Sequence, residues 1–250
     1  MVLGLLSSAA AGAESLASQA HQLIQQRCVV CHACYDAPCQ LKMEAHEGLV
    51  RGGSQTLVYD STRLLAGDLT RLFDDAQGER AWRKKGFYPV LNASEPAAGV
   101  LRRMLDLKQA NPLPPNGPLP EGFDFRLHRD QQCAKPGDFD QFASEFPLWG
   151  MPYGLPALQP DEHATLVSWL DAGAPALAQE PLSPALQTEL AAWEQFLNGD
   201  DNKSRLMARY VYEHLFLATL YLQADDRPRW FRLVRSATPP GEPIDLLTTR

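Results

Sequence analysis

The sequence contains little cysteine, no excess of basic residues and no long apolar segment. Cysteine accounts for 5 of the 250 residues, which is too few for a small disulfide-rich scaffold. The formal net charge is −7, and the absence of a basic stripe argues against a nucleic-acid partner. No run of about 18–20 apolar residues occurs, so the sequence does not predict a polytopic membrane protein.

The remaining composition is that of a globular protein. Hydrophobic residues make up 45% and charged residues 21% of the chain, which excludes a disordered or collagen-like protein. A length of 250 residues predicts one large domain or two small ones. The 20 prolines concentrate in connecting segments, which indicates long loops between the regular elements.

Small and apolar residues begin the chain. Residues 1–13 read MVLGLLSSAAAGA, and Ala11, Gly12 and Ala13 fit a signal-peptidase site. No Lys or Arg precedes this run, so an Ala-rich tail is the alternative interpretation, and a membrane span is disfavoured because the run is too short. We predict a signal-peptide remnant at 1–13, and therefore export to an oxidising compartment.

Hydrophobic periodicity predicts a mostly α-helical chain with long loops. Ser94 is a candidate N-cap for the second helix, in which Val100, Leu101, Met104 and Leu105 are expected to face inward. Pro- and aromatic-rich sequence predicts loops at 111–122 and 139–158. The predicted helices are 14–27, 96–108, 160–172, 184–197 and 202–223, with a strand at 230–234.

Four of the five cysteines lie within twelve residues, and two of them begin a C-x-x-C-H motif. Cys28, Cys31 and His32 match the attachment signature of a c-type haem. Cysteines three positions apart lie on one helical turn and can both reach the vinyl groups of one porphyrin, while the adjacent histidine can bind the iron. The motif predicts one covalent haem c, with His32 as an axial ligand.

Other uses of the cysteine cluster remain open. Cys28, Cys31, Cys34 and Cys39 could hold an iron–sulfur cluster, although the last spacing is unusual and no Pro follows Cys39. The same four thiolates could bind a structural zinc. A thioredoxin-like redox pair would need a βαβ context, which the sequence does not contain.

Met151 is the candidate for the sixth iron ligand. It precedes Pro152, and the helix predicted at 160–172 follows, which resembles the end of a class I cytochrome c. Gly150 and Gly154 flank Met151, so the ligand loop is expected to be able to move. His46, His128 and His163 are the competing ligands. We expect a cytochrome c-like haem domain at 14–175 with a long loop-rich insertion, followed by additional helices at 176–250.

Longer stretches of the sequence resemble one family, the bacterial fatty acid cis/trans isomerases. The similar stretches are RCVVCHACYDAPCQL at 27–41, LVYD at 57–60, GF at 86–87, PVLN at 89–92, LWGMPYGLP at 148–156, YEHLF at 212–216, TPPG at 238–241 and PID at 243–245. Family chains are longer, so the sequence looks like the N-terminal portion of such an enzyme, and 176–250 like the start of a further domain.

The resemblance implies an exported haem enzyme that converts cis-unsaturated fatty acyl chains of membrane lipids to trans. Its expected partners are unsaturated fatty acids or phospholipid acyl chains at the membrane surface, and its expected role is adaptation of membrane fluidity to stress. It implies neither ATP nor a nicotinamide. His32 is the expected catalytic residue, and Cys28, Cys31, His32 and Met151 are the expected haem-binding residues. A periplasmic electron carrier with the same haem is the alternative.

Three cysteines remain once a haem occupies Cys28 and Cys31. An oxidising compartment favours one disulfide among Cys34, Cys39 and Cys133, and three pairings are possible. Pairing of Cys39 with Cys133 is preferred, because this long loop closure would attach the insertion to the haem motif.

Overall fold

The computed structural model describes residues 6–33, 37–60, 63–126, 129–178, 181–222 and 229–247. The chain divides into two units, Met1–Ala178 and Gln179–Arg250. The described residues are mostly helical, as predicted, and their only sheets are two-stranded. None of the described helices has the length and apolar character needed to cross a bilayer.

Seven helices and one short antiparallel pair of strands lie in the described part of the first unit. The helices are α1 (Leu6–Arg27), α2 (Val29–His32), α3 (His46–Arg51), α4 (Gly78–Lys84), α5 (Val100–Ala110), α6 (Phe139–Glu145) and α7 (Pro160–Asp171). The strands are β1 (Tyr59–Asp60) and β2 (Arg63–Leu64). Short 3-10 turns occur at Pro38–Gln40, Pro96–Ala98 and Pro147–Trp149.

The core of the first unit forms where α1, α5 and α7 pack together. Each helix contributes residues three and four positions apart, the spacing that places side chains on one helical face. The buried residues are Ala17, Ala20 and Ile24 of α1, Val100, Leu101, Met104 and Leu105 of α5, and Leu166, Trp169 and Leu170 of α7. The four α5 residues predicted to face inward are therefore confirmed as buried.

A polar contact also joins the first and last helices of this unit. Arg27 Nε, at the end of α1, donates to Glu162 Oε1 in the first turn of α7 over 3.0 Å. The other carboxylate oxygen of Glu162 accepts a hydrogen bond from the Gln159 backbone N–H, 3.0 Å away. One side chain thus caps α7 and fixes it to α1.

A buried arginine organises the insertion between the C-x-x-C-H motif and α5. Arg51 is 2% exposed and donates to the backbone oxygens of Gln40 and of Thr70, the latter 2.7 Å away. Its guanidinium also lies 5.3 Å from the ring centre of Trp82 and 4.7 Å from that of Phe87. The loops of the insertion are therefore held by polar contacts as well as by apolar packing.

Some predicted helix boundaries were wrong. The helix predicted at 14–27 begins at Leu6, so 6–13 of the predicted signal peptide belong to α1, and 1–5 lie outside the described residues. Ser94 is not an N-cap, because its N–H and hydroxyl both bind the Asn92 side chain, and α5 begins only after Gly99.

The predicted loop at 139–158 contains the helix α6, which the sequence analysis missed. Phe139 and Phe142 are buried on one face of this helix, which ends at Glu145, just before the 3-10 turn at Pro147–Trp149. The helical face was hidden by the density of Pro and Gly in the residues that follow.

The described part of the second unit contains two helices and a β-hairpin. The helices are α8 (Pro184–Leu197) and α9 (Asn202–Leu215), and the strands are β3 (Leu220–Leu222) and β4 (Arg229–Phe231). The Ser183 side chain caps α8 and the Asp201 side chain caps α9. The boundaries predicted for α8 are confirmed.

The predicted helix at 202–223 was too long. It ends at Leu215, and the following residues enter β3, where Tyr221 pairs with Trp230 across the hairpin. The two rings lie 5.3 Å apart, and such cross-strand aromatic pairs stabilise a hairpin. The strand predicted at 230–234 is present, but it begins at Arg229 and ends at Phe231.

Candidate functional site

The C-x-x-C-H residues form one compact turn at the end of α1. The Cys28 N–H donates to Ile24 O over 2.9 Å, and the Cys28 carbonyl accepts from Cys31 N at 3.1 Å and from His32 N at 3.0 Å. Cys28 is half-buried and Cys31 is exposed, and both are free thiols. The local backbone therefore holds the two thiols and the imidazole within a single turn, as the motif predicts.

His32 is held in a single orientation by the segment that follows it. Its side chain is 7% exposed, and Nδ1 lies 2.9 Å from the Leu41 carbonyl oxygen. The His32 carbonyl in turn accepts from Met43 N at 2.7 Å. Because a carbonyl can only accept, Nδ1 carries the proton and Nε2 keeps a free lone pair.

Burial also sets the charge of His32. It lowers the pKa of the imidazole below its usual value, and the hydrogen bond to Leu41 only partly opposes this effect. A neutral imidazole with a free Nε2 and a hydrogen-bonded Nδ1 is the form in which histidine binds iron or zinc.

The Cys28 thiol is protonated at neutral pH. Burial raises its pKa to about 12, and the neighbouring Cys31 adds to the effect. Zinc or an iron–sulfur cluster would have to displace this proton, because both bind thiolates.

Cys39 and Cys133 form a disulfide, with their Cα atoms 5.7 Å apart. The preferred pairing is therefore confirmed, and the bridge joins residues 94 positions apart in the sequence. It also removes Cys39 from the four-thiolate set that an iron–sulfur or zinc site would need. Cys34, the remaining cysteine, lies outside the described residues.

Met151 is fixed against α5. Its N–H donates to the Met104 carbonyl over 3.0 Å, and its half-buried side chain packs against the core cluster of the first unit. Cys28, Val29 and Leu41 pack against the same cluster. The Met151 segment and the C-x-x-C-H motif therefore pack against the same core, although they are far apart in the sequence.

Gly150 and Gly154 have packing roles that the sequence analysis did not predict. A Cβ on Gly150 would lie 2.4 Å from Lys108 N, so only glycine permits this contact with α5. Gly154 has φ +66°, and a Cβ there would lie 2.3 Å from the Phe125 ring. Both glycines therefore allow close contacts of the Met151 segment, and the expectation that they let this segment move stays a prediction.

The histidines considered as alternative iron ligands are described next. His163 Nε2 lies 3.1 Å from Asp106 Oδ1. His46 lines a cavity of about 200 Å³ between α3, α4, α5 and α7, together with Leu49 and Arg83. His128 lies outside the described residues.

Seven aromatic rings form a continuous row, in which Trp149 and Tyr153 flank Met151 in the sequence, and we refer to them as the aromatic row. Neighbouring ring centres lie between 5.0 and 6.4 Å apart. Phe139 is buried at one end of the row and Phe125 is 57% exposed at the other. The members are Phe139, Phe142, Phe146, Trp149, Tyr153, Phe123 and Phe125.

Sequence reasoning missed this row, although a signal was present. Positions 139, 142, 146, 149 and 153 follow alternating steps of three and four residues, the spacing of one helical face. Tyr153, next to Met151 and Pro152, donates from its hydroxyl to the Asp124 carbonyl. The Arg129 guanidinium lies 4.8 Å from the centre of the same ring.

Sequence reasoning also missed Lys108. The side chain is completely buried, and Nζ has no hydrogen-bond partner within the described ranges. Burial lowers the pKa of its ammonium group to about 8. The available signal was a charge at a position that continues the apolar face of α5, four residues after Met104.

Comparison with protein families identifies the chain. The family described as "Fatty acid cis/trans isomerase (CTI)" matches residues 67–250. The chain belongs to the fatty acid cis/trans isomerase family. This confirms the resemblance inferred from the sequence motifs and assigns the chain to a family of isomerases that act on fatty acyl substrates. Searches of curated proteins and of solved structures gave no match.

The family match covers part of the site. The Met151 segment, the aromatic row and Lys108 all lie within the matched residues. The Cys28–His32 motif precedes them, but it belongs to the same structural unit, because α1 packs against α7. Family membership favours the isomerase interpretation over the electron-carrier alternative.

Proposed function

We propose that this chain is a haem-dependent fatty acid cis/trans isomerase whose first unit is a cytochrome c-like domain. Cys28 and Cys31 would hold one haem c through thioether bonds, and His32 and Met151 would bind its iron. The substrate would be a cis-unsaturated fatty acyl chain. The observation that carries the proposal is the buried, neutral and oriented His32 beside two free thiols, in a chain that belongs to this family.

The donor set fits a haem better than the other candidates. Two free cysteines on one turn provide two thioether positions, and His32 provides an imidazole nitrogen with a free lone pair. Met151 provides a thioether on a different segment of the same core. A four-thiolate site lacks Cys39, which is bonded to Cys133.

The chemistry of the family reaction is compatible with such a group. Rotation about a C=C bond requires a transient decrease of its bond order, and substrate and product have the same oxidation state. When bound, ferric haem supplies an electrophilic centre that withdraws π-density from a double bond. No net oxidant or reductant is consumed.

The chain itself would bind and position the acyl group. The aromatic row offers an apolar surface from the exposed Phe125 to Tyr153, close to Met151. The hydrogen bond of Tyr153 to Asp124 and the contact of Arg129 with its ring hold this end of the row in place. In this proposal the row excludes water from the acyl chain, while His32 is held by its bond to Leu41.

The proposed location is the periplasm, with peripheral binding to the membrane surface. The Cys39–Cys133 disulfide supports an oxidising compartment, and the apolar run at 1–13 supports export. Conversion of cis to trans acyl chains there would stiffen the membrane, which suits a response to stress.

A pyridine haemochrome spectrum of the chain matured in a bacterial periplasm tests the haem proposal. We expect one covalent haem per chain, and loss of most covalent haem in a Cys31→Ala variant. Cys34→Ala is the matched control, since it removes a cysteine of the same cluster outside the motif, and it should keep the haem. Full covalent haem in a Cys28→Ala/Cys31→Ala variant would refute the assignment.

A Met151→Ala variant tests the sixth ligand. Wild-type ferric protein should show the thioether-to-iron charge-transfer band in the far red, and the variant should lose this band while keeping covalent haem. A wild-type spectrum that lacks the band and is high-spin would remove Met151 from the proposal.

A further inference from the structure

Lys108 is a fully buried cation for which the described part of the chain provides no hydrogen-bond partner. It lies on α5, where the other inward positions are apolar, and its side chain is 0% exposed. Within the described residues its Nζ forms no hydrogen bond. An ammonium group has three donors and no acceptor, so burial without a partner is strongly unfavourable.

Arg51, a second buried cation of the same unit, provides a comparison because its guanidinium has partners. Arg51 is equally inaccessible, but it donates to backbone oxygens of Gln40 and Thr70 and lies against the rings of Trp82 and Phe87. Among the residues that the structure describes, one buried cation therefore has hydrogen-bond partners and the other has none. This contrast indicates that the partner of Lys108 comes from a bound molecule.

The position of Lys108 links it to the candidate site. Lys108 lies directly against Gly150: a Cβ added to this glycine would be 2.4 Å from Lys108 N and 2.9 Å from Lys108 Cβ. Met151 N donates to the carbonyl of Met104, one turn before Lys108 on the same helix. The lysine side chain therefore starts directly beside the segment that carries the proposed iron ligand.

We propose that Lys108 binds a carboxylate that is brought into the core by a ligand. The inference rests on the proposed function, because that function supplies two such groups: a propionate of the haem and the carboxylate of an unesterified fatty acid. A carboxylate satisfies the donors of the ammonium group and cancels its charge in a water-poor site. An esterified acyl chain has no such charge, so the second source would make free fatty acids the substrate class.

The variants Lys108→Met and Lys108→Arg test the inference. Methionine keeps a long side chain in apolar surroundings without the charge, and arginine keeps the charge. Lys84→Met is the matched control, because Lys84 is an exposed lysine of the same unit. Circular dichroism spectra establish that each variant is folded, and the charge-conserving variant provides a second measurement if Lys108→Met unfolds.

The first arm measures the affinity for oleate and for oleyl alcohol, which differ only in the head group. If the fatty acid supplies the carboxylate, Lys108→Met weakens oleate binding about ten- to a hundred-fold and leaves oleyl alcohol within about two-fold. Lys108→Arg should bind oleate nearly as wild type does.

The second arm measures the midpoint potential of the haem. If a propionate is the partner, Lys108→Met lowers the potential, because a nearby positive charge is lost and the ferric form is favoured. Oleate affinity then stays at the level of Lys84→Met. Whether Lys108→Met changes the oleate affinity or only the midpoint potential therefore identifies the source of the carboxylate.

The inference is overturned if Lys108→Met behaves like Lys84→Met in both arms. Failure of the proposed function is a separate result, seen as the absence of covalent haem in the haemochrome spectrum. In that case the oleate arm decides alone: selective loss of oleate binding supports the carboxylate site, and unchanged oleate binding overturns it.

Discussion

At the scale of single residues, burial determines the protonation of His32. In the folded chain the imidazole is enclosed and its pKa is lowered, whereas in the unfolded chain it is an ordinary solvated histidine. The unfolded state therefore binds a proton more readily than the folded state as the pH decreases. Stability from the neutral imidazole is fully present above about pH 6.5 and is lost below it.

This difference predicts a pH dependence of stability. In the haem-free chain, where Nε2 of His32 is not bound to iron, the free energy of unfolding should decrease as the pH falls from about 7 to 5, with a contribution from His32 of at most about 1.4 kcal/mol per pH unit. Urea denaturation at several pH values measures it. His32→Gln should lose this part of the slope, and His214→Gln, which removes an exposed imidazole of the second unit, should keep it. An identical slope in His32→Gln and wild type would contradict the account.

Gly150 gives a second residue-scale prediction. A methyl group there would meet the Lys108 backbone nitrogen at 2.4 Å, so Gly150→Ala should cost about 1–3 kcal/mol of unfolding free energy. Gly137→Ala is the matched control, since nothing lies within 4 Å of that position, and it should change stability by less than about 0.5 kcal/mol. If urea denaturation gave equal losses of unfolding free energy for Gly150→Ala and Gly137→Ala, the close contact with Lys108 would not contribute to stability.

The sequence predicted some site residues and missed others for physical reasons. Cys28, Cys31 and His32 are contiguous, so their chemistry is visible in a motif. Lys108 is the one charged residue on an otherwise apolar face of α5. A lysine at the end of such a face usually has its side chain in solvent. Only the packing of the Met151 segment against α5 shows that it is enclosed.

At the scale of elements, the Cys39–Cys133 disulfide connects the start of the insertion to the loop before α6. The bridge restricts the unfolded chain more strongly than a short one would, because 94 positions separate the two cysteines. It also fixes the segment that leads to Leu41, the hydrogen-bond partner of His32. The disulfide therefore supports the orientation of the imidazole.

Removal of this bridge should destabilise the first unit. A Cys39→Ser/Cys133→Ser variant should lose about 2–4 kcal/mol of unfolding free energy, and reduced wild-type protein should show a similar loss. The measurement is urea denaturation with and without reductant. A non-reducing digest should yield a linked Cys39–Cys133 peptide, and alkylation of both cysteines in the unreduced, denatured protein would disprove the bridge.

Elements with clear end signals were predicted well. The predicted helix 160–172 has Pro160 in its first turn, the acidic Glu162 near its positive end and Gly173 directly after it, and the structure gives Pro160–Asp171. The end of α9 has no comparable signal. Leu220 and Tyr221 continue an apolar pattern, and only pairing with β4 makes them a strand.

At the scale of the whole molecule, the C-x-x-C-H motif and part of the family match belong to the same structural unit. The matched residues begin at 67, after the C-x-x-C-H turn, but α1 carries that turn onto a core shared with α5 and α7. A contact between distant parts of the chain cannot be read from local patterns. The sequence supplied the two halves of the candidate site, and the fold shows that they pack on a common core.

In the proposed function, covalent haem on the Cys28–Cys31 turn enables isomerisation of a fatty acyl double bond. The most direct test is gas-chromatographic measurement of trans product after incubation of the haem-loaded chain with a cis-monounsaturated fatty acid. The account predicts trans product from wild-type protein, product from the Cys34→Ala control, and none from Cys28→Ala/Cys31→Ala. Equal amounts of trans product from wild type and from the haem-free double variant would contradict it.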